Sequence, residues 1–248
     1  MNSLEERHLL KEKYAGERTP EYLADCSRIS AGEPTAYVIG TQPFLNITVD
    51  LSERPHIPRG ETEFWTEYVI AMMQKDIRTS LSCLDIFAGS GCIGLAILSN
   101  VPKASVDFAD IDSRCIKQIE KNLEFIGGIS SRARSIRSDI FCNIEDRYDY
   151  ILANPPYIAL RHIKRVESSV LTFEPHQALF GGETGLDVIR TFLMHASKHL
   201  HPRGRIFMEF DDTQHATLEI LVKTLPYTTS RFFLDQYGLW RFVELAVA

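Results

Sequence analysis

No two cysteines in this 248-residue chain are spaced as a CxxC pair, and none sits with histidines at the spacing of a zinc site. The five that occur, Cys26, Cys83, Cys92, Cys115 and Cys142, are an odd number with no disulfide framework. They read as reduced thiols, several inside strands or helices, in a cytoplasmic protein. Long apolar runs are missing too, which leaves no segment able to span a bilayer. The opening Met1-Asn2-Ser3-Leu4-Glu5-Glu6-Arg7 lacks the apolar stretch of a secretory signal, so no membrane association is expected. Repeats and low-complexity tracts are absent. Positive charge is in deficit: 27 Lys and Arg stand against 33 Asp and Glu, a net charge of −6. A broad basic surface for nucleic acid is therefore not indicated, which leaves only a local patch for such a partner. What remains, 44% hydrophobic and 24% charged residues, suits one sizeable domain with a small extension.

Along the chain, residues 1–33 are polar with scattered apolar positions and read as two short helices broken around Gly16 to Pro20. Such an arm is too small for a core of its own. Residues 34–60 read as a hairpin and linker: a ribbon running from Gly32–Gly40 into the alternating Phe44-Leu45-Asn46-Ile47-Thr48-Val49. The main domain is expected from 61 to 248. It opens with a helix to about Lys75, where Thr62 or a neighbour is expected to cap and Glu61 and Glu63 suit the positive helix end. Further on, Ile163–Val170 reads as a helical lid and Glu174–Gly185 as a loop over the site, with Glu174-Pro175 assigned to loop architecture. A helix over 186–200 carries the core stripe Leu186, Ile189, Phe192 and Leu193. His195, His199 and His201 fall near its end and are not assigned a metal. A strand over 205–210, a helix over 213–225 and an antiparallel pair at 230–234 and 239–245 close the chain. The fold class is α/β, a doubly wound sheet with helices on both faces.

Four strand ends carry candidate chemistry. The strand Leu81–Phe87 runs into Ala88-Gly89-Ser90-Gly91-Cys92-Ile93-Gly94, a turn of small residues that lets backbone approach a ligand, and then into a helix. A second strand ends in Asp110-Ile111-Asp112, about twenty residues on, where an acid can bind ribose hydroxyls. Asp110 is the choice for that role, because Asp112 can cap the next helix. A third strand, Ala133–Arg137, ends at Ser138-Asp139-Ile140-Phe141. There Asp139 could meet an exocyclic amine and Ile140 or Phe141 a ring face, although spacing alone favours core for both apolar residues. The fourth, Tyr148–Ala153, delivers Asn154-Pro155-Pro156-Tyr157 on a loop that the prolines stiffen. A carboxamide and a proline carbonyl can both accept from a planar NH2 group, and a tyrosine ring can wall it. Held so, a poor nitrogen nucleophile is aimed at an electrophilic methyl group.

This set resembles the motifs of class I S-adenosylmethionine-dependent methyltransferases that act on nitrogen. Three more segments resemble one family among them, the release-factor glutamine N5-methyltransferases: Gly32–Tyr37 with Ile57–Glu63, Phe173–Leu186, and Met208-Glu209-Phe210 through to Arg241. The resemblance runs from about residue 30 to the C-terminus. It implies a Rossmann-like, seven-stranded methyltransferase sheet whose last strands are an antiparallel pair. It implies S-adenosylmethionine as cofactor, held at its methionine end by Phe87, Ala88, Gly89, Ser90 and Gly91, at its ribose by Asp110 and at its adenine by Ile140 with Asp139. It implies that Asn154 and the Pro155 carbonyl, with Pro156 and Tyr157, grip a glutamine in the Gly-Gly-Gln tripeptide of a peptide-chain release factor, with no metal. The chain departs from the family pattern at Phe87, where a glycine is usual, at Gly60, where a proline is usual, and at Asp211, where a glycine is usual. It also has only about thirty residues before the matching region, a reduced substrate-docking segment. The other readings are an adenine or guanine N-methyltransferase of nucleic acid and a non-catalytic module that binds the cofactor or a translation factor.

Overall fold

The computed structural model describes residues 1–248. Helix α1 (Ser3–Glu12) starts at Asn2, whose side chain accepts from the Leu4 and Glu5 amides while Glu5 accepts back from the Asn2 amide. Helix α2 (Pro20–Ser30) starts with Thr19 as cap and a proline in its first turn, where the missing N–H costs nothing. The ribbon expected from residue 32 starts later. Residues Thr35–Ile39 form a short helix, α3, because Pro34 presets its start and Tyr37 and Val38 then turn inward together. Gly40 ends it at φ +93°, a conformation that favours glycine. Leu9, Tyr22, Ile29 and Val38 make a small core joining α1, α2 and α3. The hairpin follows as β1 (Thr41–Phe44) and β2 (Ile47–Asp50).

Helix α4 (Gly60–Gln74) leads into a single large sheet. Its elements are β3 (Leu81–Ile86), α5 (Cys92–Asn100), β4 (Ala104–Asp110), α6 (Ser113–Ile126), β5 (Ala133–Arg137), β6 (Tyr148–Ala153), α7 (Ser168–Phe173), α8 (Asp187–Ala196), β7 (Leu200–Glu209), α9 (His215–Val222), β8 (Thr229–Leu234) and β9 (Trp240–Ala246). The strand order is β5-β4-β3-β6-β7-β9-β8. The pairs through β7 are parallel, and β9 is antiparallel to both β7 and β8. The expected seven-stranded α/β sheet with a closing antiparallel pair is therefore what the chain forms.

Alternation explains the layers. On β3, Leu81 and Cys83 face one core while Leu84 and Ile86 face the other; on β6, Tyr150 and Leu152 divide from Ile151 and Ala153 in the same way. Strands buried on both faces read as apolar runs, which is why they were visible in the sequence. The winding steps outward from β3 to β5, then returns to place β6 on the other side of β3. That reversal makes the carboxyl ends of β3 and β6 the switch point where ligands bind in such sheets.

Two expected helices differ. The lid over 163–170 is instead a 3-10 stretch, Leu160–Arg165, followed by α7; Val166 and Glu167 are extended between them. Glu167-Ser168-Ser169 restarts the chain there, since serine favours helix starts over interiors. The helix over 213–225 is a 3-10 turn, Asp212–Gln214, capped by Asp211, and then α9.

Candidate active site

At the end of β3 the chain turns through Phe87 at φ +61° and Gly89 at φ +55° before α5 begins behind Gly91 at φ +79°. Phe87 thus takes a left-handed conformation that a glycine adopts without strain. Its ring is held edge-on against Phe192 at 5.8 Å. A Cβ on Gly89 would meet nothing within 4 Å, so open space lies over this turn. Beneath it, Asp85 is fully buried. One carboxyl oxygen accepts from the Gly94 amide at 2.9 Å and the other has no partner, and burial pushes its pKa up to about 8.

Asp110 ends β4 and accepts from the Gly89 amide at 2.9 Å and from the Asp112 amide at 2.9 Å. Burial raises its pKa, against the pull of those amides. Asp112 caps α6 by accepting from Arg114, as expected. Past β5, Asp139 is exposed and Ile140 sits at φ +48°, unusual for a β-branched residue. Phe141 goes to the core, stacked on His199 at 4.4 Å and on Phe192 at 5.6 Å. The two apolar candidates at this strand end therefore part, with Ile140 toward the cavity and Phe141 away from it.

Asn154 follows β6 and points at α4: its Nδ2 donates to Thr62 Oγ1 at 3.2 Å. Thr62 is not the helix cap expected of it. Arg59 holds the cap position with no side-chain bond, and Thr62 is buried in the first turn. Its hydroxyl instead donates to Glu209 Oε2 at 2.7 Å, which also accepts from Trp65 Nε1 at 2.7 Å. Glu209 Oε1 accepts from the Tyr157 hydroxyl at 3.0 Å. Burial and the Glu209 charge raise the Tyr157 pKa.

The backbone of this loop is clamped from outside. Gln214 Nε2 donates to the Tyr157 and Gly185 carbonyls. A Cβ on Gly181 would lie 2.3 Å from the Pro156 carbonyl, and one on Gly185 would lie 2.1 Å from the Tyr157 carbonyl, so only glycine fits at either place. Glu174 is buried and ties this loop to the segment before α4, pairing with Arg59 and His56 and accepting from the Ile57 amide. The architectural role expected of it is the one its contacts describe.

These segments enclose a cavity of about 280 Å³ lined by Phe87, Ala88, Gly89, Ser90, Asp110, Asp139, Ile140, Asn154, Pro155, Pro156 and Tyr157. Of the expected site residues only Gly91 stays out of the lining; a Cβ there would meet the core residue Ile119 at 3.0 Å. Thr62 and His56 also line it and were not expected to, while Pro175 and Leu179 line it from the loop expected over the site. A second cavity, of about 570 Å³, shares Tyr157, Ile158, His56 and Leu179 with the first and carries Arg59, Arg161, Arg165 and Arg190. The two meet at the Asn-Pro-Pro-Tyr loop.

Among known proteins, the methyltransferase small domain family matches residues 59–172. The release factor glutamine methyltransferase of Streptococcus pneumoniae is 34% identical over 236 residues, which is 94% of this chain and 82% of that protein. This chain belongs to the release factor glutamine methyltransferase family. Its likeness extends to the enzyme of the same name from Thermodesulfovibrio yellowstonii, 33% identical over 86% of this chain and 76% of that protein. It extends also to the ribosomal protein uL3 glutamine methyltransferase of Francisella tularensis, 28% identical over 81% of this chain and 63% of that protein. Among solved structures, the 16S rRNA N2 G1207 methyltransferase of T. thermophilus superposes with a TM-score of 0.60 at 17% identity, over 84% of this chain and 50% of that one. A methyltransferase from Pyrococcus furiosus gives 0.57 at 16% identity over 90% and 98%. Both share the fold. Within the family frame Phe87 stands out, because its backbone keeps a glycine-like φ although the residue is not glycine.

Proposed function

We propose that this protein uses S-adenosylmethionine to methylate the side-chain amide nitrogen of a glutamine in a peptide-chain release factor, in the cytoplasm. The observation that carries the reading is the pairing of two strand ends. Phe87 to Ser90 in the turn after β3 and the Asn154–Tyr157 loop after β6 follow adjacent strands and line one cavity.

The residues fit the cofactor. Open space over Gly89 suits its methionine end, the Asp110 carboxylate suits a ribose diol, and Ile140 with Asp139 suits an adenine face and its amine. Bound there, it supplies an electrophilic methyl group on a sulfonium. The chain's part is to hold the nucleophile. Asn154 Oδ1 and the Pro155 carbonyl accept no hydrogen bond within the protein and are free to accept the two amide protons of a glutamine. Two such bonds localise the nitrogen lone pair and orient it, while the Tyr157 ring covers the amide plane. The second cavity, which opens from Tyr157, is the way in for a protein loop, and the N-terminal helices are a candidate docking arm. A nucleic-acid substrate finds little support in a chain of net charge −6.

The test is transfer of labelled methyl from S-adenosylmethionine to purified release factors, ribosomal protein uL3, DNA and RNA, beside Asn154→Ala. Label on a release-factor glutamine, lost in Asn154→Ala, is the expected result. Label on uL3 alone would keep the chemistry and overturn the partner. Label on nucleic acid, or no calorimetric binding of the cofactor, would overturn the proposal.

A further inference from the structure

The amide grip has an ambiguity that the fold must resolve. Asn154 can turn either its oxygen or its NH2 toward a substrate, and the two ends of a carboxamide have nearly the same shape. Only the oxygen can accept an amide proton. If the NH2 faced the cavity, donor would meet donor and the substrate nitrogen would be repelled. The loop's prolines stiffen the backbone but leave the final torsion of the asparagine side chain free.

We propose that Glu209 is a positioning residue that acts through Thr62 to fix which end of Asn154 faces the substrate. Glu209 ends β7, is 1% exposed and receives three donors on its two carboxyl oxygens. Trp65 Nε1 can only donate. The Oε2 it faces accepts, and because an ionised carboxylate has no proton to give, Thr62 Oγ1, 2.7 Å from the same oxygen, gives its one proton to it. With that proton committed, Thr62 Oγ1 has only lone pairs left for Asn154, 3.2 Å away. Asn154 must then direct Nδ2 toward Thr62 and Oδ1 toward the cavity. The chain of donation runs from Asn154 to Thr62 to Glu209, and the tryptophan N–H sets its sense.

A second arm of the same carboxylate holds the Tyr157 hydroxyl at 3.0 Å, so both side chains that flank the substrate amide are indexed to Glu209. An anchor that merely tied α4 to β7 would need Trp65 and Glu209 alone. The hydroxyl at 62, placed between the buried carboxylate and a cavity-lining amide, is what points to orientation.

This inference rests on the proposed glutamine methylation, and its test separates the two. Thr62→Val keeps the shape but removes the acceptor for Nδ2; Thr62→Ser keeps the hydroxyl. With a release factor as substrate, kcat in Thr62→Val is expected to fall on the order of 10²-fold, as for a reacting group misplaced by about 1 Å. Cofactor affinity by calorimetry should stay close to wild type, the thermal midpoint should fall by only a few degrees because Glu209 keeps its Trp65 and Tyr157 donors, and Thr62→Ser should recover most of the rate and of the midpoint. Glu209→Gln makes a sharper distinction. Trp65 forces the new amide oxygen into the Oε2 place, Thr62 still donates to it, and Asn154 keeps its sense. Its kcat should fall by less than about tenfold, well short of Thr62→Val. A readout independent of turnover is the side-chain NH2 signal of Asn154 in 15N-labelled protein, assigned by its loss in Asn154→Ala. Slow exchange in wild type, Thr62→Ser and Glu209→Gln, and fast exchange in Thr62→Val, is expected. Full turnover in Thr62→Val, no recovery in Thr62→Ser, equal loss in Glu209→Gln and Thr62→Val, or an NH2 signal indifferent to residue 62 would each overturn the relay. Wild-type protein that leaves release factors unlabelled would instead sink the proposed function, and the NH2 signal would still decide the relay.

Discussion

Asp85→Asn should make the protein less sensitive to alkali. Asp85 is fully buried at the N-terminal end of α5, one oxygen bonded to the Gly94 amide and the other unpartnered. Burial raises its pKa to about 8, and the Asp110 charge adds to this, while the Gly94 N–H pulls the other way. An unfolded chain titrates this group near 3.9. The folded pKa is the higher one, so the folded state holds a proton that the unfolded state has released. The stability this contributes is full below about pH 4 and is lost as pH rises, until the loss is complete above the folded value. Within that window each pH unit removes about 1.4 kcal/mol. Raising the pH from about 6 to 9 crosses roughly two units of it, a loss of about 3 kcal/mol from wild type. Asparagine keeps an oxygen for the Gly94 amide and has no proton to lose. The assay is the urea midpoint of both proteins across this pH range, or the thermal midpoint, where the gap should widen in favour of Asp85→Asn by about 6–12 °C. Parallel curves would refute the reasoning: they would mean that the carboxyl is ionised throughout and that its second oxygen finds a partner.

Phe87→Gly should cost only about 1–2 kcal/mol in urea unfolding, less than the 3–5 of a core phenylalanine, because relief of the left-handed backbone offsets part of the lost packing on Phe192. A loss above about 3 kcal/mol would show that the φ of +61° carries no strain. Glu174→Gln should destabilise by about 2 kcal/mol at neutral pH, since the partly exposed Arg59 loses its buried carboxylate partner. Burial pushes the Glu174 pKa up, but the adjoining His56 ring, the Arg59 guanidinium and the Ile57 amide outweigh it and hold the folded value low. That stability is present above the unfolded value near 4.3 and lost as pH falls through the folded one, so the gap between Glu174→Gln and wild type should close in acid. A gap that is constant with pH would show that only shape matters there.

Much of this fold and site could be read from the sequence, for physical reasons that differ by residue. Strands β3 and β6 are buried on both faces and stand out as apolar runs ended by glycine or proline. The carboxyl ends of such strands lie at the sheet edge where ligands bind, so Asp110, which ends β4, and Asn154, which follows β6, were expected there, and both line the cavity. Helix α3 was missed because five residues carry too little periodicity to outweigh β-branched and aromatic side chains. The lid failed for a related reason, a start signal at Ser168 inside what looked like one segment. Phe87 and Ile140 looked ordinary or anomalous by type, yet what distinguishes them is a positive φ that side-chain identity does not announce. The deepest miss is Thr62. Locally it looks like a helix cap, and every local rule favours that reading. Its hydroxyl is instead satisfied by a carboxylate 147 residues away, and its oxygen by an amide 92 residues away. A contact of that range leaves no spacing to detect. Only the sheet order, which sets β6 beside β7 with α4 over their carboxyl ends, brings the three side chains together. The residues that line the cavity are thus written at strand ends, where the sequence shows them, while the buried partners that hold them are defined by topology and become visible only once the chain is folded.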